Sequence, residues 1–279
     1  MYCEQFYNTT LSPDYSLEVR FMAFQSYLTA PRLFRQLNDT GYSFADKTVA
    51  DIGTGLGILP YLLRNENALN IIGIDIDRNS LMAALSTTRA ENIGFINADG
   101  HNMPVKNSTF DIIFLRYIFQ HVNLSACFLS EIKRTMKDGA TLVAIDIDDS
   151  LNVFYPDLPD SSKKLFKAYS EYQNLEGGDR FISKKLPAFF SSAGFSEIKV
   201  KPYATVFFKE KDDRCHFQAL KNAFLLVQNE LEIIKNELFN KKLIGRLEFH
   251  KGLNDYFKFL NSEDNLFISK TEFLIMCKK

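Results

Sequence analysis

Val49-Ala50-Asp51-Ile52-Gly53-Thr54-Gly55-Leu56-Gly57-Ile58, followed by Ile71-Ile72-Gly73-Ile74-Asp75, is the stretch on which the reading of this chain turns. An apolar run, three alternating glycines and a second apolar run predict a strand, a tight turn and the start of a helix. Such a turn presents backbone N–H groups and the positive end of a helix dipole. Pyrophosphates and carboxylates both exploit that device, so the spacing has to discriminate. A dinucleotide fingerprint wants G-x-G-x-x-G, but here the glycines stand at 53, 55 and 57 and position 58 is Ile, so that motif's residue for close strand-helix contact is missing. Asp51, inside the first strand, fits poorly beside a pyrophosphate and well beside an α-amino group; its rival role is to cap the turn. Asp75 ends the next strand about 18 residues after Gly57, where a carboxylate can accept both hydroxyls of a ribose. The pattern describes a cradle for an adenosine-bearing cofactor.

Working outward, short apolar runs alternate with amphipathic segments from Lys47 onward, as in βαβ units around a parallel sheet buried on both faces. Strands are predicted at about 48–52, 70–75, 94–97, 110–115 and 140–146, with helices at about 80–91 and 124–137. Leu124, Phe128, Leu129, Ile132 and Met136 mark the second of these, and Gly139 its stop. Residues 16–39 read as two helices, the first with Leu17, Phe21, Phe24 and Leu28 on one face, the second beginning at Pro31 and ending at Gly41. After residue 150 a loop carrying Pro156 and Pro159 is expected, then helices at about 160–174 and 183–193, the latter capped by Ser183 and stopped by Gly194. Two last strands, around 198–208 and 266–277, bring the count to seven. Between them about 50 residues are dominated by an amphipathic helix with Phe217, Phe224, Leu231 and Ile234 on one face, a substrate lid or a dimer contact, with core packing the commoner explanation.

A chain of 279 residues, 46% hydrophobic and 24% charged, can fill an α/β core without metal or disulfide staples. Net charge is -1 and the lysine pairs are interspersed with acids, so no basic footprint for nucleic acid is visible. Cys3, Cys127, Cys215 and Cys277 are far apart with no C-x-x-C pair, which disfavours zinc; Cys127 and Cys277 read as buried thiols. No leader and no bilayer-length apolar run is seen, so a cytoplasmic protein is expected, without membrane partners and with no metal.

At this point the chain resembles the class I S-adenosylmethionine-dependent methyltransferases. Their first motif is similar to Asp51-Ile52-Gly53-Thr54-Gly55-Leu56-Gly57, and their second-strand acid matches Asp75. Ile96-Asn97-Ala98-Asp99-Gly100 resembles the third-strand acid that meets the adenine amino group, followed by the N–H that meets the ring. Met103-Pro104 before Phe110-Asp111-Ile112-Ile113, and the run Lys133-Arg134-Thr135-Met136-Lys137-Asp138-Gly139, continue the likeness in order across about residues 45–148, with Asp138 in place of a usual proline and Thr54 in place of a common cysteine or serine. More loosely, Arg116-Tyr117-Ile118-Phe119-Gln120-His121 and the turn Gly177-Gly178-Asp179-Arg180 resemble a bacterial small-molecule branch.

The resemblance implies an α/β, Rossmann-like, seven-stranded and mostly parallel sheet with helices on both faces. It divides the chain into an N-terminal helical lid (1–44), a core (45–208), a helical insertion (209–262) and a final strand (263–279). It implies S-adenosyl-L-methionine as cofactor, S-adenosyl-L-homocysteine as product, and a cofactor set of Asp51, Gly53, Thr54, Gly55, Gly57, Asp75, Ile76, Asp99, Gly100 and Leu115. Arg20, beside Tyr15 and Tyr27, could close over the cofactor carboxylate.

Methyl transfer is an in-line displacement that needs alignment and dryness more than a triad. A base helps only where the acceptor is protonated. His121 after the fourth strand and Asp148, among Asp146, Asp148 and Asp149 after the fifth, are the catalytic candidates; a structural role is the rival for each. Arg116 and Tyr117 are placed to meet a substrate, Arg116 because its planar charged fork holds carboxylates. The expected partner is a small molecule, methylated on O, N or C, and the protein a monomer or homodimer. An RNA or protein methyltransferase and a non-catalytic cofactor-binding protein stay open; a nicotinamide oxidoreductase is disfavoured by Ile58 and Asp51.

Overall fold

The computed structural model describes residues 16–88, 90–123, 125–210, 214–262 and 265–279. Expectations placed on Cys3, Tyr15, Leu124, and the side chains of Leu17, Tyr27, Cys215 and Phe217 lie outside the described residues.

Five parallel strands come first: β1 (Thr48–Ile52), β2 (Asn70–Asp75), β3 (Ile93–Asn97), β4 (Phe110–Arg116) and β5 (Met136–Ile147). They lie in the order 3-2-1-4-5. The sheet ends with antiparallel strands. β8 (Leu266–Lys278) runs between β5 and β7 (Ser196–Lys209). The structure has eight strands rather than seven, because β6 (Val153–Tyr155) pairs with residues 267–269 of β8 just beyond the end of β5. Three residues with a proline following at 156 are too short to show an alternating pattern, so the segment reads as loop from sequence.

The strand buried at the sheet's centre is aligned by side chains at its rim. The Asp111 carboxylate on β4 accepts from Thr48 N at 2.9 Å and from Lys137 Nζ at 2.7 Å, which ties β1, β4 and β5 at their starts. Arg134 donates to the carbonyls of Met103 and Val105, while Glu131 accepts from Met103 N. The Pro104 loop is thereby fixed to the helix that precedes β5.

Residues 16–39 form one helix, α1 (Leu17–Thr40), where two were expected. Ser16 accepts from Val19 N at its start and Gly41, left-handed, closes it. Pro31 costs one backbone bond, but its side chain points outward and the buried stripe Val19, Ala23, Ala30, Leu33, Leu37 passes it unbroken. That stripe also replaces the expected face: Phe21, Phe24 and Leu28 are only partly covered, whereas small residues such as Ala23 and Ala30 let the helix lie close on the sheet.

The remaining helices are α2 (Ile58–Leu63), α3 (Arg78–Thr87), α4 (Ala126–Thr135), α5 (Asp160–Leu175), α6 (Leu186–Ser192), α7 (Arg214–Asn240) and α8 (Arg246–Leu260). Helix α3 is capped by Asp77 and ends at Thr87, short of the expected 91. Helix α6 starts at Leu186 rather than at Ser183, whose side chain is buried without a partner. Cys277 is buried as expected, but Cys127 sits on the solvent side of α4.

Three apolar cores result. One lies between α1, α2 and one face of the sheet; a second packs α4 and α6 on the other face. A third joins α5, α7 and α8 to Leu266 and Ile268 of β8. Gly252 permits that third core: a Cβ there would stand 2.6 Å from the Ser161 carbonyl oxygen, so α8 touches α5 backbone to side. No helix among the described residues is long and apolar enough to cross a membrane.

Candidate active site

The strand order reverses between β1 and β4, which opens a crevice at the carboxyl ends of the strands. Gly53, Gly55 and Gly57 all take left-handed φ values, 72°, 53° and 74°. Any side chain would be strained there. Gly57 is packed tightly by the next βα unit: a Cβ on it would stand 3.0 Å from Phe95 of β3 and 3.1 Å from Ala84 of α3. Among the described residues Gly55 has only the Met22 sulfur of α1, 3.9 Å away, so they leave the cradle open on that side.

Asp51 is buried, and its carboxylate accepts from the Thr54 hydroxyl at 2.7 Å. Burial pushes it up to about 6, against the pull of that hydrogen bond and of the Arg116 charge. Asp75 accepts from Gly55 N at 2.7 Å and Asp77 N at 2.9 Å, and burial raises it too. Asn97 holds the end of β2 by donating to the Asp75 and Ile76 carbonyls. Ile76 itself is 72% exposed, an apolar side chain bare at the rim of the crevice. Across from it Asp99 accepts from His101 N and Nδ1, both at 2.9 Å, which hold its carboxyl below the usual range. A Cβ at Gly100 would press on Phe128 at 3.0 Å.

Beyond the end of β4 the crevice gives way to a cavity of about 660 Å³, bounded by α1, α5, α7 and β8. Two polar networks line it. In the first, Arg32 of α1 pairs with Glu272 of β8 at 2.7 Å and donates to the Tyr117 hydroxyl at 2.8 Å. That hydroxyl in turn donates to Glu272 at 2.6 Å, and Gln36 donates to the same carboxylate at 2.5 Å. Burial and the Glu272 charge push the Tyr117 phenol far up, and its backbone is left-handed at φ 57°. In the second, Arg180 is bonded to Asp149, lies 3.8 Å from Glu230, stacks 4.5 Å over the Tyr169 ring and donates to Gln173 at 3.2 Å. Tyr169 donates to Glu230.

Residues 43–194, more than half of the chain, match the family described as a methyltransferase domain. The chain belongs to that methyltransferase family. It is 25% identical over 167 residues to a ubiquinone/menaquinone biosynthesis C-methyltransferase of Desulfotalea psychrophila, covering 56% of this chain and 68% of that protein. A Campylobacter jejuni protein of the same name is 28% identical, over 70% of this chain and 89% of its own length. Among solved structures, phosphoethanolamine N-methyltransferase 2 of Haemonchus contortus, in complex with S-adenosyl-L-methionine, superposes with a TM-score of 0.58 at 16% identity, over 98% of this chain and 60% of that one. That likeness is one of fold.

In this methyltransferase the expected cofactor residues Asp51, Gly53, Thr54, Gly55, Gly57, Asp75, Ile76, Asp99 and Gly100 come together along one crevice. Arg116 turns its charge toward Asp51 and donates at 3.3 Å to Thr29 of α1, a residue that lines the cavity. Leu115 is buried in the core beneath the end of β4. Arg20 has a buried Nε without a partner among the described residues.

Asp148 does not line the cavity. It is sealed, capping a short 3-10 turn through Ser150, and Asp149 is the acid that faces the space. Asp146 is likewise buried, where it accepts from the N–H groups of Phe119, Gln120 and Ile147 and is raised by burial to about 7. His121 does not line the cavity; its Nδ1 lies 3.2 Å from Gln173, which is bonded in turn to Tyr169 and Arg180 of the wall, and burial lowers its pKa.

The two stretches of the looser likeness touch. A Cβ at Gly178 would stand 2.1 Å from the Gln120 carbonyl oxygen, so the glycine turn docks on the loop after β4 and delivers Arg180 to the cavity. Arg32, Glu272, Lys270, Glu230 and Tyr169 were not foreseen. Lys270 and Glu272 leave a trace in the sequence: they interrupt the apolar alternation Leu266, Ile268, Leu274, Met276 with two charges on the inward register.

Proposed function

We propose that this enzyme moves the methyl group of S-adenosyl-L-methionine in line onto an O, N or C atom of a small molecule held in the cavity beside β8. The observation that carries this reading is the split of two consecutive residues at the end of β4. Arg116 acts on Asp51 in the cofactor crevice, while Tyr117 lines the cavity. The two spaces meet there. The residues present fit the cofactor: an open glycine cradle, a buried acid for an amino group, an acid at the end of β2 for ribose hydroxyls, and an unpartnered Arg20 Nε for a carboxylate.

When bound, the cofactor supplies an electrophilic methyl on sulfur. The chain supplies position and dryness. Asp51 and Arg116 orient the amino-acid end, and Asp75 and Ile76 hold the nucleoside. Tyr117, locked between Arg32 and Glu272 with its proton strongly held, shapes the boundary between donor and acceptor without serving as base. Asp149 and Glu230 are the carboxylates of the cavity wall that could take a proton from a hydroxyl acceptor. A walled cavity suits a small molecule better than RNA or a protein. In this reading residues 1–44 form a lid, 45–208 and 263–279 the catalytic core, and 209–262 an insertion that closes the acceptor side, in a protein of the cytoplasm.

Calorimetry tests the reading. S-adenosyl-L-homocysteine should bind with a micromolar or tighter constant and NADH should give no heat. The reverse result would sink it.

A further inference from the structure

The inward face of β8 passes from one core to another. Leu274 and Met276 belong to the core beneath α1, and Ile268 and Leu266 to the core of α5, α7 and α8. At the same two-residue period, in the seam between them, stand Glu272 and Lys270. Glu272 is fully engaged by Arg32, Tyr117 and Gln36. The Lys270 side chain makes no hydrogen bond and no ion pair with any described residue, although the residue lines the cavity.

No carboxylate of the wall lies within ion-pair distance of its ammonium. Each of the four carboxylates there already faces a cation: Glu272 faces Arg32, Asp149 and Glu230 face Arg180, and Glu171 faces Lys167 at 3.6 Å. Burial lowers the Lys270 pKa; Arg180 and Arg32 repel its charge, and the attraction of Asp149 and Glu230 does not make good the loss. A second group in the same cavity lacks a partner. Ser170 of α5 lines it, and its hydroxyl oxygen is buried with no hydrogen bond. An unpaired ammonium on the wall, and an unpaired hydroxyl buried within a residue of the same wall, among Phe166, Tyr169 and Tyr256, describe a receptor for an anion on an aromatic body.

We propose that Lys270 is the anion-recognition point of the acceptor cavity, and that the acceptor is a flat, largely apolar molecule carrying a carboxylate or phosphate group. Lys270 supplies the charge and Ser170 a hydrogen bond. The proposal rests on the reading of this cavity as the acceptor site, and it names the class of acceptor.

Three probes of one shape test it by calorimetry on the S-adenosyl-L-homocysteine-loaded protein: naphthalene-2-carboxylate, 2-naphthyl phosphate and the neutral naphthalene-2-carboxamide. At least one anion should bind tenfold or more tightly than the amide, and the better of the two names the anionic group. Lys270→Met should abolish that preference, Lys270→Arg should keep it, and Ser170→Ala should weaken it several-fold. Affinity for S-adenosyl-L-homocysteine, unchanged in all three variants, shows that they fold. An amide bound as well as both anions, or a preference that survives in Lys270→Met, overturns the proposal. Failure of the wild-type protein to bind S-adenosyl-L-homocysteine would instead overturn the methyl-transfer reading, and the same probes titrated into ligand-free protein would still report on Lys270.

Discussion

Asp51 and Asp75 are the two carboxylates proposed to hold the cofactor, yet their surroundings give them different tests. Asp51 is buried and raised to about 6. A cationic amino group beside it favours the ionised form, so below pH 6 binding must first remove a proton. Affinity for S-adenosyl-L-methionine should therefore be level above about pH 7 and fall by up to tenfold per unit below about 6. Titration calorimetry across that range checks this, and Asp51→Asn should bind more weakly with no such slope. Asp75 holds two loop N–H groups and, in the proposed site, would also accept two ribose hydroxyls. Replacing it with Ala should cost about 1.5–3 kcal/mol of cofactor affinity, the worth of hydrogen bonds to a charged group, with the far-ultraviolet spectrum unchanged. The placement of both residues was legible in the sequence because it is local: an acid inside a strand, an acid at a strand's end. Arg32 was not, since on a helix it reads as any exposed charge until Glu272, far along the chain, is brought against it.

Among the elements, α1 and β8 depend on each other most. The Arg32–Glu272 pair is nearly sealed, Glu272 being 3% exposed. Glu272→Ala would leave the Arg32 charge buried and unanswered, and should lower stability by about 3–5 kcal/mol in urea unfolding. The double variant Arg32→Met, Glu272→Leu should recover part of that loss, because the unpaired charge goes with its partner; a cycle with no coupling would mean the two side chains do not meet. The parallel strands and their order could be read from apolar runs alone, as buried strands carry so strong a pattern. Elements whose identity depends on neighbours could not. Helix α1 continues through Pro31 because its buried stripe is supported from below, and β6 exists only because β8 offers it an edge. The insertion resolved into α7 and α8 rather than one dominant helix, with Gly245 placed at the start of the second.

At the scale of the molecule, the proposed donor side lies where the sequence is most regular and the proposed acceptor side where distant segments converge. The crevice is built from β1, β2 and β3 and their turns, within one continuous run of chain. The cavity draws on α1, the loop after β4, α5, α7 and β8. This is why the cofactor could be read from motifs and the acceptor could not. The clamp that closes the cavity joins Gln36 to Glu272 across 236 positions of sequence. Contacts of that separation pay a large loop-closure entropy unless the chain between them is already ordered. The parallel core should therefore assemble first, and docking of α1 onto β8 should come after the rate-limiting step. Stopped-flow denaturant jumps would show this as a faster unfolding limb for Glu272→Ala beside an almost unaltered refolding limb. A chain that has just folded would then own its cofactor crevice some time before it owns a finished pocket for the molecule to be methylated.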